Sequence, residues 1–167
     1  ADDDCDGEVS EDCWPSAMDA TYATYDLVGT AGDYAGTQVE GQNDITGDGI
    51  PDLVVSGNVS GKMWIVPGPL TGDVDLGTAW QVNGAATFGT RLSADGDLDG
   101  DGINDLAVRT YSTGDLAVYY GRADWSAPTV DLAWSTYGAY TGDILAVDLD
   151  DSGTPDLIGV GASAGSL

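Results

Sequence analysis

Asp97-Leu-Asp-Gly-Asp-Gly-Ile-Asn-Asp105, running directly into Leu106-Ala-Val-Arg109, decides how the rest of the 167-residue chain is read. Carboxylates stand at loop positions 1, 3, 5 and 9, and Gly102 at position 6 permits a sharp turn. A short segment built this way can wrap a hard cation that takes several oxygen ligands at about 2.3–2.6 Å, and calcium suits an all-protein cage better than magnesium. Position 12 is Val108, where an EF-hand needs a bidentate Glu and a following helix. The apolar run after the loop has strand character instead.

Two further copies flank it. Asp44-Ile-Thr-Gly-Asp-Gly-Ile-Pro-Asp52 precedes Leu53-Val-Val, and Asp148-Leu-Asp-Asp-Ser-Gly-Thr-Pro-Asp156 precedes Leu157-Ile-Gly. The loops start 53 and 51 residues apart, so the cation motif belongs to a structural repeat. Side-chain oxygens come from Asp44, Thr46, Asp48 and Asp52, from Asp97, Asp99, Asp101 and Asp105, and from Asp148, Asp150, Ser152 and Asp156. The outer loops each carry one neutral donor, Thr46 or Ser152, so the middle loop is expected to bind most tightly.

Composition agrees with this reading. The chain has 29 acidic residues against 4 basic ones and no His, for a net charge of −25, and Asp outnumbers Glu 26 to 3. Solubilising acidity alone would use both acids; the shorter carboxylate fits turns and metal loops. Three bound calcium ions would still leave −19, which disfavours nucleic acid as a partner. A hydrophobic content of 42% argues for a packed core, and no apolar stretch reaches the length of a membrane helix.

Residues 1–19 form an acidic leader with Cys5 and Cys13, read as a small disulfide clip formed in an oxidising compartment. Ala1 in place of Met is what signal cleavage leaves, as a truncated start would also be. Extracellular or cell-surface location is the expectation. From residue 20 to 167 the repeats divide at about 20–70, 71–122 and 123–167. Each holds several strand-length runs broken by Gly, Pro or Asp, and 25 glycines would be costly inside helices. Four strands per fifty-odd residues is the arithmetic of a propeller blade. The fold class is therefore all-β, with antiparallel four-stranded blade-like repeats.

These residues resemble the FG-GAP repeats of integrin α-subunit propellers and of many secreted bacterial proteins. Phe88-Gly89 is the literal dipeptide, with Tyr34-Ala-Gly36 and Tyr140-Thr-Gly142 as looser versions; Val66-Pro-Gly-Pro69 and Tyr120-Gly-Arg122 occupy the place of the Gly-Ala-Pro element. The resemblance implies three calcium sites and adds the backbone carbonyls of Ile50, Ile103 and Thr154 to their ligand sets. The leader, for its part, looks like an Asp/Cys-rich motif of secreted myxobacterial-type proteins. Its Asp2, Asp4 and Asp6, with Gly7 and Glu8, match the start of a calcium loop; it is either a fourth metal site or an acidic tail clipped by the disulfide.

Closed propellers use about four to eight blades, and this sequence supplies three. It is a piece of a larger propeller, a compact rearrangement, or a unit whose open sheet edges are covered by other copies. The function expected is structural: a secreted calcium-binding repeat protein acting in adhesion or extracellular assembly, including self-assembly into a fibre. A lectin-like propeller module is the alternative, with a protein or glycan ligand. Trp125, between Asp124 and Ser126, is then the candidate stacking platform, whereas Trp64, Trp80 and Trp134 are expected to pack internally. Catalysis is not expected, because most Asp are explained as cation ligands. Arg91 and Arg109 are expected to neutralise nearby Asp.

Overall fold

A computed structural model of the chain describes residues 25–135 and 142–159. The leader, with Asp2, Asp4, Asp6, Glu8, Cys5, Cys13 and Trp14, lies outside the described residues, as do Tyr140 and Thr141. The described residues contain no α-helix. They form twelve strands and one 3-10 turn, Leu76–Thr78, capped by the Asp75 side chain.

The first sheet takes β2 (Gln38–Asn43), β3 (Asp52–Gly57), β4 (Lys62–Val66) and β6 (Trp80–Asn83) in sequential antiparallel order. The second repeats it with β7 (Phe88–Gly96), β8 (Asp105–Thr110), β9 (Asp115–Tyr119) and β10 (Leu132–Ser135). A third unit contributes the antiparallel pair β11 (Ile144–Val147) and β12 (Asp156–Gly159). The four-stranded antiparallel blade is thus realised twice, and each fourth strand comes from beyond residues 70 and 122. Strand β7 lies against β2 on one side and β11 on the other, so the first strands of the three units run side by side.

Alternation along the strands sorts side chains between layers. Val54, Met63 and Ile65 of the first sheet meet Phe88, Leu92, Leu106, Val108 and Tyr119 of the second. On the far face of the second sheet, Ala107 and Val118 meet Ile144, with Leu157 packed beside them. Both faces of β8 are covered, which is why its centre, Leu106-Ala-Val108, is apolar without polar alternation. The outer face of the first sheet is closed differently. Here β1 (Leu27–Val28) and β5 (Val74–Asp75) pair in parallel, and Leu76 is buried with Val55, Trp64 and Val66.

Phe88-Gly89 has a clear physical task. Phe88 is buried between the sheets, while Gly89 adopts φ +74° and a Cβ there would lie 2.8 Å from the Ser56 Cβ. The buried Ser56 hydroxyl donates to the Gly89 carbonyl at 2.8 Å. Only glycine satisfies both the left-handed backbone and the close approach.

The third unit departs from the first two. Strands β2 and β7 each carry an extra residue just before the loop, between Glu40 and Asn43 and between Ser93 and Gly96. Strand β11 pairs with β12 in continuous register. The missing bulge accounts for one of the two residues by which Gly142–Asp148 is shorter than Gly36–Asp44 and Gly89–Asp97.

Candidate metal centre

Each acidic loop joins the first strand of its unit to the second: residues 44–52 link β2 to β3, 97–105 link β7 to β8, and 148–156 link β11 to β12. Within each loop the position-1 carboxylate accepts backbone N–H groups of the loop itself. In the middle loop, Asp97 Oδ1 accepts from Gly100 N (2.7 Å) and Asp101 N (3.1 Å), and its Oδ2 from Gly102 N (2.8 Å). Asp44 does the same with Gly47, Asp48 and Gly49, and Asp148 with Ser152 and Gly153. Desolvation works to raise the Asp44 pKa, but the backbone donors of Gly49, Gly47, Asp48 and Thr46 outweigh it and hold the group below its ordinary value.

Tight wrapping requires left-handed backbone at positions 4 and 6 of every loop. Gly47 and Gly49, Gly100 and Gly102, and Asp151 and Gly153 all have positive φ. Position 4 was not recognised from sequence as a conformational requirement. Its signal was the Gly at 47 and 100, obscured by Asp151, which holds φ +58° at an energetic cost that Gly avoids.

Position 9 anchors the loop to the sheet. Asp52 Oδ2 accepts from Ile45 N (3.0 Å) and Thr46 N (2.9 Å), and its Oδ1 from Gly68 N (3.0 Å). Asp105 repeats this with Leu98 N (2.7 Å) and Gly121 N (2.8 Å). Gly68 and Gly121 sit in the two Gly-Ala-Pro-like elements. A Cβ at Gly68 would lie 2.1 Å from the Pro51 carbonyl oxygen, and one at Gly121 2.3 Å from Ile103 Cγ2, so the amide reaches the carboxylate only without a side chain. In the third loop Asp156 accepts from Leu149 N (3.2 Å) and is exposed, whereas Asp52 and Asp105 are buried.

The oxygens converge unequally. One carboxylate oxygen from each of Asp97, Asp99 and Asp105 lies within 4.8 Å of the others, and so do those of Asp148, Asp150 and Asp156. Among the described residues the first loop forms no such trio, because Thr46 stands at position 3. Position 5 lies outside both trios: Asp101 Oδ1 accepts from Ile103 N (2.8 Å), as Asp48 Oδ1 does from Ile50 N (2.8 Å). In the third loop the Ser152 hydroxyl donates to the Thr154 carbonyl at 3.2 Å, engaging two of the expected ligands with each other. Three clustered carboxylates repel one another, and a divalent cation relieves that repulsion. Burial, with Asp99 and Asp97 adding to it against hydrogen bonds from Gly121 and Leu98, pushes Asp105 up to about 6. The donor set therefore fits a calcium-like ion.

The ion pairs Lys62–Asp33, Arg91–Asp143 and Arg122–Asp131 draw on no loop carboxylate. Arg91 thus neutralises an Asp, while the buried Arg109 donates to the Gly142 carbonyl at 3.4 Å. Trp125 is not a surface platform. It is fully buried, its ring 6.3 Å from Tyr119 and beneath the Arg122 guanidinium, and its Nε1 donates to the Ile45 carbonyl at 3.2 Å. Trp134, expected inside, is 46% exposed on β10, while Trp64 is buried and Trp80 partly so.

No protein-family model matches the chain. It is distantly similar to integrin alpha-IIb of Mus musculus, with 29% identity over 74% of this chain and 14% of that protein. With integrin alpha-IIb of Homo sapiens it shares 39% identity over 45% of this chain and 8% of that protein. The chain thus spans a small part of the length of the curated relatives it matches. Similarity to integrin alpha-IIb over part of the chain, four-stranded antiparallel sheets and two clustered Asp trios are the findings that bear on function.

Proposed function

We propose that this is a secreted calcium-binding β-repeat protein with a structural role in adhesion or extracellular assembly, and that it is not an enzyme. The observation that carries the reading is the repeated loop, in which Asp97, Asp99 and Asp105, and again Asp148, Asp150 and Asp156, gather carboxylates at the junction of two strands. Asp101 and the Ile103 carbonyl complete the middle set, Ser152 and the Thr154 carbonyl the third. Asp44, Thr46, Asp48, Asp52 and the Ile50 carbonyl form the first.

Calcium there acts on the fold. At about 2 mM calcium and dissociation constants of about 0.1–1 mM, each site adds on the order of 0.6–2 kcal/mol. Three such sites rival the stability margin of a small domain. An assembly role is supported by two exposed leucines of the third unit, Leu145 on β11 and Leu149 in the loop, 47% and 69% exposed. The lectin-like alternative loses Trp125 as its platform.

Calorimetric titration with calcium and with magnesium tests the reading. Binding of calcium near the expected range, much weaker for magnesium, supports it; no heat for either cation overturns it.

A further inference from the structure

We propose that the first and second loops bind calcium as a coupled pair, while the third binds independently; this rests on the calcium reading above. The coupling runs through two backbone links. Asn104 lies between the Ile103 carbonyl and Asp105 of the second loop, and its N–H donates to the carbonyl of Asp44, the first residue of the first loop, at 3.0 Å. The second link starts at Asp105, which holds Gly121 N at 2.8 Å. The next residue, Arg122, donates its N–H to the Ile45 carbonyl at 2.9 Å, between Asp44 and Thr46. Packing closes the same seam: the Ile103 side chain covers Gly47, where a Cβ would lie 2.7 Å from Ile103 Cδ1.

Among the described residues the junction of the second and third loops lacks this connection, and the sequence says why. The counterpart of Asn104 is Pro155, which has no N–H to donate. The counterpart of Ile103 is Thr154, which is exposed, and nothing lies within 4 Å of where a Cβ on Gly100 would be. Pro155 instead packs beside Gly96.

A cation in the second loop holds the Ile103–Asp105 segment, and with it the Asn104 N–H that positions Asp44. The ordering of the first loop is then partly done before its own cation arrives, which is positive coupling, and linkage makes it reciprocal. Asn104 is a positioning residue acting through its backbone, not a ligand.

The test is calcium titration of the full chain followed by NMR, with the amides of Gly49, Gly102 and Gly153 reporting the three loops separately. Asn104→Pro removes the donor and sets the ring Cδ against the Asp44 carbonyl, severing the link, at a loop position that Pro51 and Pro155 occupy in the other two copies. First-loop affinity should fall about fivefold or more while the Gly153 curve stays unchanged, and Asn104→Ala, which keeps the N–H, should leave the coupling intact. Should Asn104→Pro fail to fold, Asp99→Asn, which alters a donor of the second site alone, must through the coupling lower first-loop affinity, and Asp150→Asn must not. An unchanged Gly49 curve in folded Asn104→Pro or in Asp99→Asn overturns the coupling. Absence of calcium shifts in any loop of the unaltered chain overturns the calcium reading itself.

Discussion

The second and third loops differ at only four of nine positions: Gly100 against Asp151, Asp101 against Ser152, Ile103 against Thr154, and Asn104 against Pro155. Both gather the same three carboxylates. Yet Asp105 is 1% exposed and tied to Gly121, whereas Asp156 is exposed and bonded to Leu149 alone among the described residues. The convergence of ligands is thus a local property of nine residues. The firmness of the site comes from what packs on it: the second loop is held by its own sheet and clasps its neighbour, while the third carries the exposed Leu149.

Four perturbations break or sharpen that contrast. The largest effect is at loop position 2, where Ile45 is fully buried under the second unit and Leu149 is 69% exposed. Ile45→Ala should cost about 2–5 kcal/mol as a core truncation. Leu149→Ala should change stability by about 0.5 kcal/mol or less. Denaturant unfolding in calcium reads both, and equal losses would mean that the third unit's outer face is covered in solution.

Next is pH. Asp105 has a folded pKa of about 6, above its ordinary value near 3.9. In the metal-free chain the folded state therefore holds this proton more tightly than the unfolded state. The resulting penalty is absent below about pH 4 and complete above about pH 6, amounting to about 3 kcal/mol. Melting in chelator should occur at a higher temperature at pH 5 than at pH 7, and Asp105→Asn should flatten that slope.

Smaller is the ranking of ligands. With calcium present, Asp101→Ala should lose about 1–2 kcal/mol, more than Asp48→Ala, because the middle loop alone has carboxylates at all four side-chain positions. Thermal melts of the two variants decide it, and the reverse order would remove the middle site from first rank. Smallest is Asp151→Gly, which relieves the left-handed strain at φ +58° and should stabilise the third loop by about 0.5–1 kcal/mol. The same change should leave the first two loops' affinities alone.

What sequence alone revealed follows the same divide between local and neighbour-dependent features. The nine-residue loops, the strand after each and the Phe88-Gly89 turn were legible because spacing and residue type dictate them within a few positions. Trp125 was misread because its polar neighbours Asp124 and Ser126 suggested a surface loop, while its burial depends on Ile45, 80 residues earlier. Trp134 was misread in the opposite sense: its strand is apolar, but nothing described covers that part of β10. Gly68 and Gly121 were visible as motif elements, yet their purpose, an amide aimed at Asp52 or Asp105, exists only once the strands are paired.

The most direct test is a calorimetric melt of the full chain in 2 mM calcium and again in EDTA. If calcium is built into the loop junctions, chelation should lower the melting temperature by on the order of 10 °C. Magnesium at the same concentration should restore little of it. Superimposable melts in calcium and EDTA would contradict a calcium-stabilised fold.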